Sequence, residues 1–231
     1  MKEKIYLIPG LMTDNRLWSR LKPHLEDEYE LIHFQLPPCE NFDEIAELLD
    51  KKIGNDKVNL LGFSLGGYVA THYSLKYPQK VKRLFLVSST PSSTEDKDIP
   101  RRQKKLQEAK ENEFSPLSLE KAKDLLEIKE DEELIHIVAN MFNDLGRETF
   151  IPQLSSTLKR VNLFDDLIKL DIPISFYYSS EDRLLNHTAI NAILQKEHKM
   201  RVISRKGESH NIPLEFSKEL SFEIQRWMKS E

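Results

Sequence analysis

The sequence has one cysteine, Cys39, among 231 residues, so no disulfide can form within the chain. A chain this poor in cysteine fits a reducing compartment. No apolar run is long enough to cross a bilayer. Met1 to Lys4 leads directly into a strand-like segment, with no apolar core of a secretory leader. Positive charge is not in excess: 34 Lys and Arg face 38 Asp and Glu, for a net charge of −4. That balance excludes the basic face of a nucleic-acid binder. No G-x-G-x-x-G or P-loop pattern occurs, and no His, Asp and Cys residues are spaced to hold a metal. Neither a cofactor nor a metal is therefore expected. The absences together leave a soluble, cytoplasmic chain with no nucleic-acid or membrane partner. Its oligomeric state is open, and a monomer is compatible with it.

What is present is 39% hydrophobic and 31% charged, which suits one globular domain with a sizeable core and an insertion. Apolar runs predict strands at 5–8 and 58–63, an alternating pattern predicts one at 172–178, and further strands are expected at 29–36, 81–88 and 200–203. Helical spacing predicts helices at 16–25, 42–53, 65–77, 184–195 and 214–228; in the second, Ile45, Leu48 and Leu49 face inward. Strand–helix alternation with short connections implies a mostly parallel six-stranded sheet flanked by helices. After Pro91 the texture changes. Charge density rises, and helices are expected near 100–112, 119–128, 131–143 and 148–160, the third stopping at Gly146. This block is too long for a crossover. It reads as a helical cap at 92–166 inserted between the fourth and fifth strands, with 1–91 and 167–231 as the core.

Glycine totals only seven residues, yet Gly62 and Gly66 bracket Ser64 in Gly62-Phe63-Ser64-Leu65-Gly66. Taken alone this G-x-S-x-G is also an ordinary Gly-rich turn. A strand before it and a helix after it favour an exposed nucleophile on a tight turn, where a Cβ at either glycine position would clash. Such a turn aims the Leu65 backbone N–H, at a helix N-terminus, toward charge forming beside the Ser64 hydroxyl. A second donor is expected from the loop after the first strand, Pro9-Gly10-Leu11-Met12, with Leu11 N–H as the candidate.

Reactive groups in an open parallel sheet gather at the carboxyl ends of the strands. Two more candidates fall there: Asp182, after the fifth strand, and His210, after the sixth. A serine hydroxyl is a weak nucleophile until a base takes its proton. His210 can take it and return it to a leaving group, and Asp182 can fix the imidazole tautomer. The other histidines, at 24, 33, 72, 136, 187 and 198, lie on predicted elements or their ends, where a surface or core role suffices. Glu181, Asp165, Asp166 and Asp171 compete with Asp182 as caps or solvated charges; Asp182 is preferred for its place just past a strand. The run Arg101, Arg102, Lys104, Lys105 reads either as a dock for an acidic carrier protein or as a solvated face offset by Glu108, Glu111 and Glu113.

The Pro-Gly-Leu-Met turn with Trp18 beyond it, the Gly-Phe-Ser-Leu-Gly-Gly elbow, Ser-Glu-Asp-Arg-Leu and Glu-Ser-His-Asn together resemble the α/β-hydrolase superfamily. Within it the chain is most similar to small bacterial carboxylesterases, including those that demethylate the pimeloyl–acyl-carrier-protein ester in biotin synthesis. The resemblance implies a serine esterase acting through an acyl-enzyme on a small-molecule or acyl-carrier-bound ester. Thioesterase, C–C hydrolase or lyase chemistry on the same residues, and a binding protein without activity, are the alternatives. The sequence departs from the family pattern in three places. Pro9-Gly10 stands for the usual His-Gly, two leading strands are missing, and Pro37-Pro38-Cys39-Glu40-Asn41 replaces the usual Gly-x-Gly-x-Ser.

Overall fold

The computed structural model describes residues 2–111 and 113–230. The expected ends at Met1, Asn112 and Glu231 lie outside the described residues. Six strands, β1 Glu3–Ile8, β2 Tyr29–His33, β3 Val58–Phe63, β4 Val81–Val87, β5 Ile174–Ser179 and β6 Arg201–Arg205, form one sheet in the order β2-β1-β3-β4-β5-β6. All five pairings are parallel, so the expected "mostly parallel" sheet is wholly so. The helices are α1 Phe42–Ile53, α2 Leu65–Lys76, α3 Ile99–Lys110, α4 Leu119–Lys123, α5 Glu132–Leu158, α6 Phe164–Leu167, α7 His187–Leu194, α8 Ile212–Glu215 and α9 Ser217–Met228.

Side chains alternate across a strand, and the core divides accordingly. Tyr6, Ile8, Leu60, Leu84, Leu86, Phe176 and Tyr178 pack against α1, α2 and α7 on one face. Ile5, Leu7, Leu61, Phe63, Phe85, Val87 and Tyr177 pack with Leu17, Trp18, Ile224 and Trp227 on the other. Both faces are covered, which is why these strands read as continuous apolar runs. A third, smaller cluster joins Met12 of the loop after β1 to Ala109 of α3 and to Phe150 and Leu154 of α5.

Several expected elements differ in the structure. The helix expected at 16–25 is two 3-10 turns, Asn15–Trp18 and Lys22–His24, because Pro23 has no N–H with which to continue a helix. Leu48, expected inward on α1, is 44% exposed, while Ile45, Ala46 and Leu49 carry the buried stripe. Gly146, with φ 64 and ψ −174, is non-helical and divides α5 into two helices meeting at a kink, so the expected stop at Gly146 holds. The helix expected to reach residue 128 ends at Lys123, since the backbone beyond it bonds to other partners. The closing helix breaks at Phe216 into α8 and α9. Strand β2 stops at His33, and β6 runs on to Arg205.

Candidate active site

Ser64 sits between β3 and α2 with φ 52 and ψ −115, a left-handed backbone that side chains rarely adopt. Strain of this kind costs on the order of 1–3 kcal/mol and persists only where surroundings enforce it. Here the Ser64 amide donates to Val87 O at 3.1 Å, and its carbonyl accepts from Ser89 Oγ at 2.7 Å. The glycines around it permit the turn. A Cβ on Gly62 would stand 2.5 Å from Gly66 O, and one on Gly66 would stand 2.2 Å from Ile8 O and 2.3 Å from Pro9 O. Those obstacles are backbone atoms that cannot swing aside. Gly66→Ala is expected to lower stability by about 3 kcal/mol through overpacking; an unchanged urea midpoint would contradict this steric account.

Three loops at the carboxyl ends of β3, β5 and β6 bring the candidate side chains together. His210 Nε2 lies 2.9 Å from Ser64 Oγ, and His210 Nδ1 lies 2.7 Å from Asp182 Oδ2. Asp182 is 1% exposed and can only accept, so Nδ1 carries the proton and Nε2 is left to accept from the serine. The second carboxylate oxygen of Asp182 accepts from Leu184 N at 2.9 Å, and its backbone carbonyl accepts from His187 Nε2 at 2.7 Å. The Phe63 ring packs on the imidazole at 5.1 Å. The rival acids are elsewhere: Asp165 pairs with Lys196, Asp166 with Lys169 and Asp171 with Lys199, and Glu181 is exposed. His33 faces Gln35 and His72 faces Asp43, both away from the site.

Among the described residues the N–H groups of Leu11 and Leu65 have no protein acceptor. Their neighbours are engaged: Gly10 N donates to Thr13 Oγ1 at 2.7 Å, and Met12 N donates to Gln153 Oε1 at 2.9 Å. A Cβ on Gly10 would lie 3.0 Å from the Ser64 Cβ, so this loop abuts the serine. Met12 shares the positive φ, at 55. Gln153, from α5, was invisible as a site residue in the sequence. Its only signal was a polar side chain within an apolar helical stripe, and it is 1% exposed.

Sequence reasoning also missed two carboxylates that hold the His210 loop. Glu127 Oε2 accepts from Glu208 N and Ser209 N, each at 2.8 Å, and pairs with Arg205. Glu215 Oε1 accepts from Glu127 N and Ile128 N at 2.6 and 2.7 Å, while Ser209 Oγ donates to Oε2. Asn211 Nδ2 donates to Leu125 O at 3.1 Å. The segment after α4 is thus pinned to the histidine loop. The Arg205 hydrogen bond holds the Glu127 carboxyl below its ordinary 4.5, whereas burial pushes Glu215 up. A lowered acid contributes stability above its unfolded value and loses it as pH falls through the folded one. Glu127→Gln is therefore expected to cost about 1–2 kcal/mol at pH 7. In urea melts across pH the gap to wild type should close below about pH 4.5; a gap constant with pH would refute the linkage.

The basic run on α3 is divided. Arg101 pairs with Asp98 and Lys104 approaches Glu108 at the surface, but Arg102 turns inward onto Thr157 Oγ1 at 2.9 Å, contrary to the reading of a uniformly solvated face. Two surface clefts, one lined by Lys4, Tyr29, Asp56 and Lys82 and one by Ile174, Arg201 and Trp227, lie at the amino ends of the strands, away from Ser64. No helix among the described residues is long and apolar enough to cross a membrane.

Comparison with known proteins bears on this geometry. Over 102 residues the chain is 31% identical to a pimeloyl-[acyl-carrier protein] methyl ester esterase of Legionella pneumophila (strain Paris), covering 42% of each. Over 104 residues it is 41% identical to the like-named protein of Wigglesworthia glossinidia brevipalpis, covering 42% of this chain and 40% of that one. The matched stretch thus spans about two-fifths of these relatives. In fold the chain is similar to a thermophilic esterase from Thermogutta terrifontis, with TM-score 0.84, 18% identity, and 99% and 90% of the two chains covered. It is also similar to MenH from S. aureus, with TM-score 0.77, 22% identity, and 98% and 93% covered. The family described as the alpha/beta hydrolase fold matches residues 4–126, more than half of the sequence, and the chain belongs to that family.

Proposed function

We propose that this chain is a serine hydrolase of carboxylic esters, working through an acyl-enzyme. The observation that carries the reading is the continuous hydrogen-bonded line Ser64 Oγ–His210–Asp182, at 2.9 and 2.7 Å. Ser64 Oγ attacks the ester carbonyl carbon while its proton passes to His210 Nε2. Asp182 holds the imidazole and stabilises its cationic form. Charge gathers on the carbonyl oxygen, where the free N–H groups of Leu11 and Leu65 serve as the oxyanion donors. His210 then gives its proton to the departing alkoxide, leaving an acylated serine. A water molecule, deprotonated by His210, attacks that acyl group and releases the acid. Nothing in this cycle calls for a cofactor.

The helical block at 92–166 serves as a cap, packed onto the loop after β1 through Met12, Phe150 and Leu154, and the substrate chain would enter beside this apolar cluster. The rings of Phe114, Phe142 and Phe150 lie within 5.3–5.8 Å of one another and extend that cluster. The relatives' names suggest a methyl ester of an acyl-carrier-bound acid as one substrate of this kind. Exposed Arg101 and Lys104 on α3 are the cations that would meet such a carrier in the cytoplasm. Two measurements test the proposal. The protein should hydrolyse p-nitrophenyl acyl esters, and a fluorophosphonate should add its phosphonyl mass to the peptide bearing Ser64. No labelling, or labelling of another residue, would overturn the reading and return the fold to a binding role.

A further inference from the structure

Arg160 lies just past α5, with its guanidinium 4.9 Å from the Tyr68 ring centroid. Tyr68 is four residues into the helix that Ser64 heads, about 6 Å along its axis. It is fixed there by its hydroxyl, which accepts from Val161 N at 2.9 Å. No side-chain hydrogen bond of Arg160 is formed among the described residues, so its donors are uncommitted. The Arg160 Nε is sealed from solvent with no acceptor among the described residues, while the residue as a whole is half-buried. No carboxylate of the described residues pairs with it, and the neighbouring charge that acts on it is that of Arg102.

Arg102 repeats the pattern from α3. Its Nη1 donates to Thr157 Oγ1, and its Nε is buried with no acceptor. The nearest acid, Asp98, is taken by Arg101. Lys105 stands near enough to Arg101 and Arg102 to feel their charge. Two neighbouring guanidinium groups, drawn from water and lacking a counter-charge, are costly to hold. Burial, with Arg102 adding repulsion, pushes Arg160 down to about 10. The Tyr68 ring and the Thr157 hydroxyl offset part of this, and no carboxylate among the described residues pairs with Arg160. Paired arginine edges match the oxygens of a carboxylate or phosphate in geometry and in charge.

We propose that Arg102 and Arg160 form an anion subsite beside Ser64, which takes a carboxylate or phosphate carried by the substrate. The proposal rests on the ester-hydrolase reading and adds to it a preference for esters with an anionic end. It differs from a carrier dock on the outer face of α3, because Arg102 points inward.

The test compares mono-p-nitrophenyl glutarate, which carries a carboxylate, with the neutral p-nitrophenyl pentanoate of equal chain length. The readout is the ratio of their kcat/KM values, which a loss of active protein does not change. Wild type should favour the glutarate ester by about ten- to hundredfold, the worth of one charge-assisted contact. Arg160→Gln and Arg102→Gln should bring the ratio near one, and Arg102→Lys should keep part of it. Should Arg160→Gln fail to fold, the Arg102 pair of variants decides. Titration calorimetry of the same proteins with glutarate and with inorganic phosphate reads the subsite without turnover and separates the two sources of anion. Binding lost in Arg102→Gln supports the subsite even if neither ester is hydrolysed, a result that would instead overturn the ester reading. Turnover of both esters with a ratio near one in wild type, and no binding of either anion, overturns the subsite alone.

Discussion

Ser64→Ala is expected to lower kcat on p-nitrophenyl esters by on the order of 10⁶. The substitution removes one oxygen atom, so no acyl-enzyme can form, and only the oxyanion donors and binding remain to act on the ester. The fold should be indifferent to it. Alanine at φ 52 bears the same backbone strain as serine, and the Ser64 amide and carbonyl keep their bonds to Val87 and Ser89. The thermal midpoint should therefore stay within a degree or two of wild type while turnover disappears. A variant that hydrolyses esters within tenfold of wild type would place the chemistry on another residue.

Asp182→Asn should cost about 10⁴ in kcat at neutral pH. The carboxylate at 2.7 Å from His210 Nδ1 accepts only, and this sets the proton on Nδ1. A carboxamide can present its NH₂ there instead, which moves the ring proton to Nε2 and turns the base away from Ser64. KM should move little, since Asp182 is 1% exposed and lies behind the histidine. Steady-state kinetics on one ester suffice to see it. An equal rise in KM with kcat unchanged would make Asp182 a structural acid rather than the partner of the imidazole.

The parts of this fold that the sequence revealed are those governed by local rules. Apolar runs marked the inner strands β1, β3 and β4, because a parallel sheet covered on both faces tolerates few polar side chains there, whereas the edge strands β2 and β6 carry charged residues and were legible only from shorter apolar pieces. The Gly62–Ser64–Gly66 spacing was legible for a similar reason, since the crowding seen at Gly66 leaves only glycine a place. Asp182 and His210 could be nominated from their positions after strands β5 and β6. What stayed hidden depended on distant partners. Glu127 looked like one acid among many on a charged helix, and only the fold sets it on the amides of residues 208 and 209. Arg102 sat within a basic run that read as surface, until Thr157 and Arg160 supplied its surroundings. Leu48 went the other way, periodic with the buried stripe of α1 but left at its edge. Helix ends failed where a tertiary bond outcompeted the next turn, as beyond Lys123.

The hydrogen-bonded pair Ser64 and His210 is separated by 146 residues, and β6 is the outermost strand on its side of the sheet. At about 5–20 residues per second, a ribosome needs roughly 7–30 s to pass from one to the other. On the proposed mechanism, the nascent chain holds a nucleophile without its base throughout that interval. Competence would then arrive only with the last strand, and a chain whose synthesis stops before residue 210 is expected to leave the esters around it intact, however well its first half has folded.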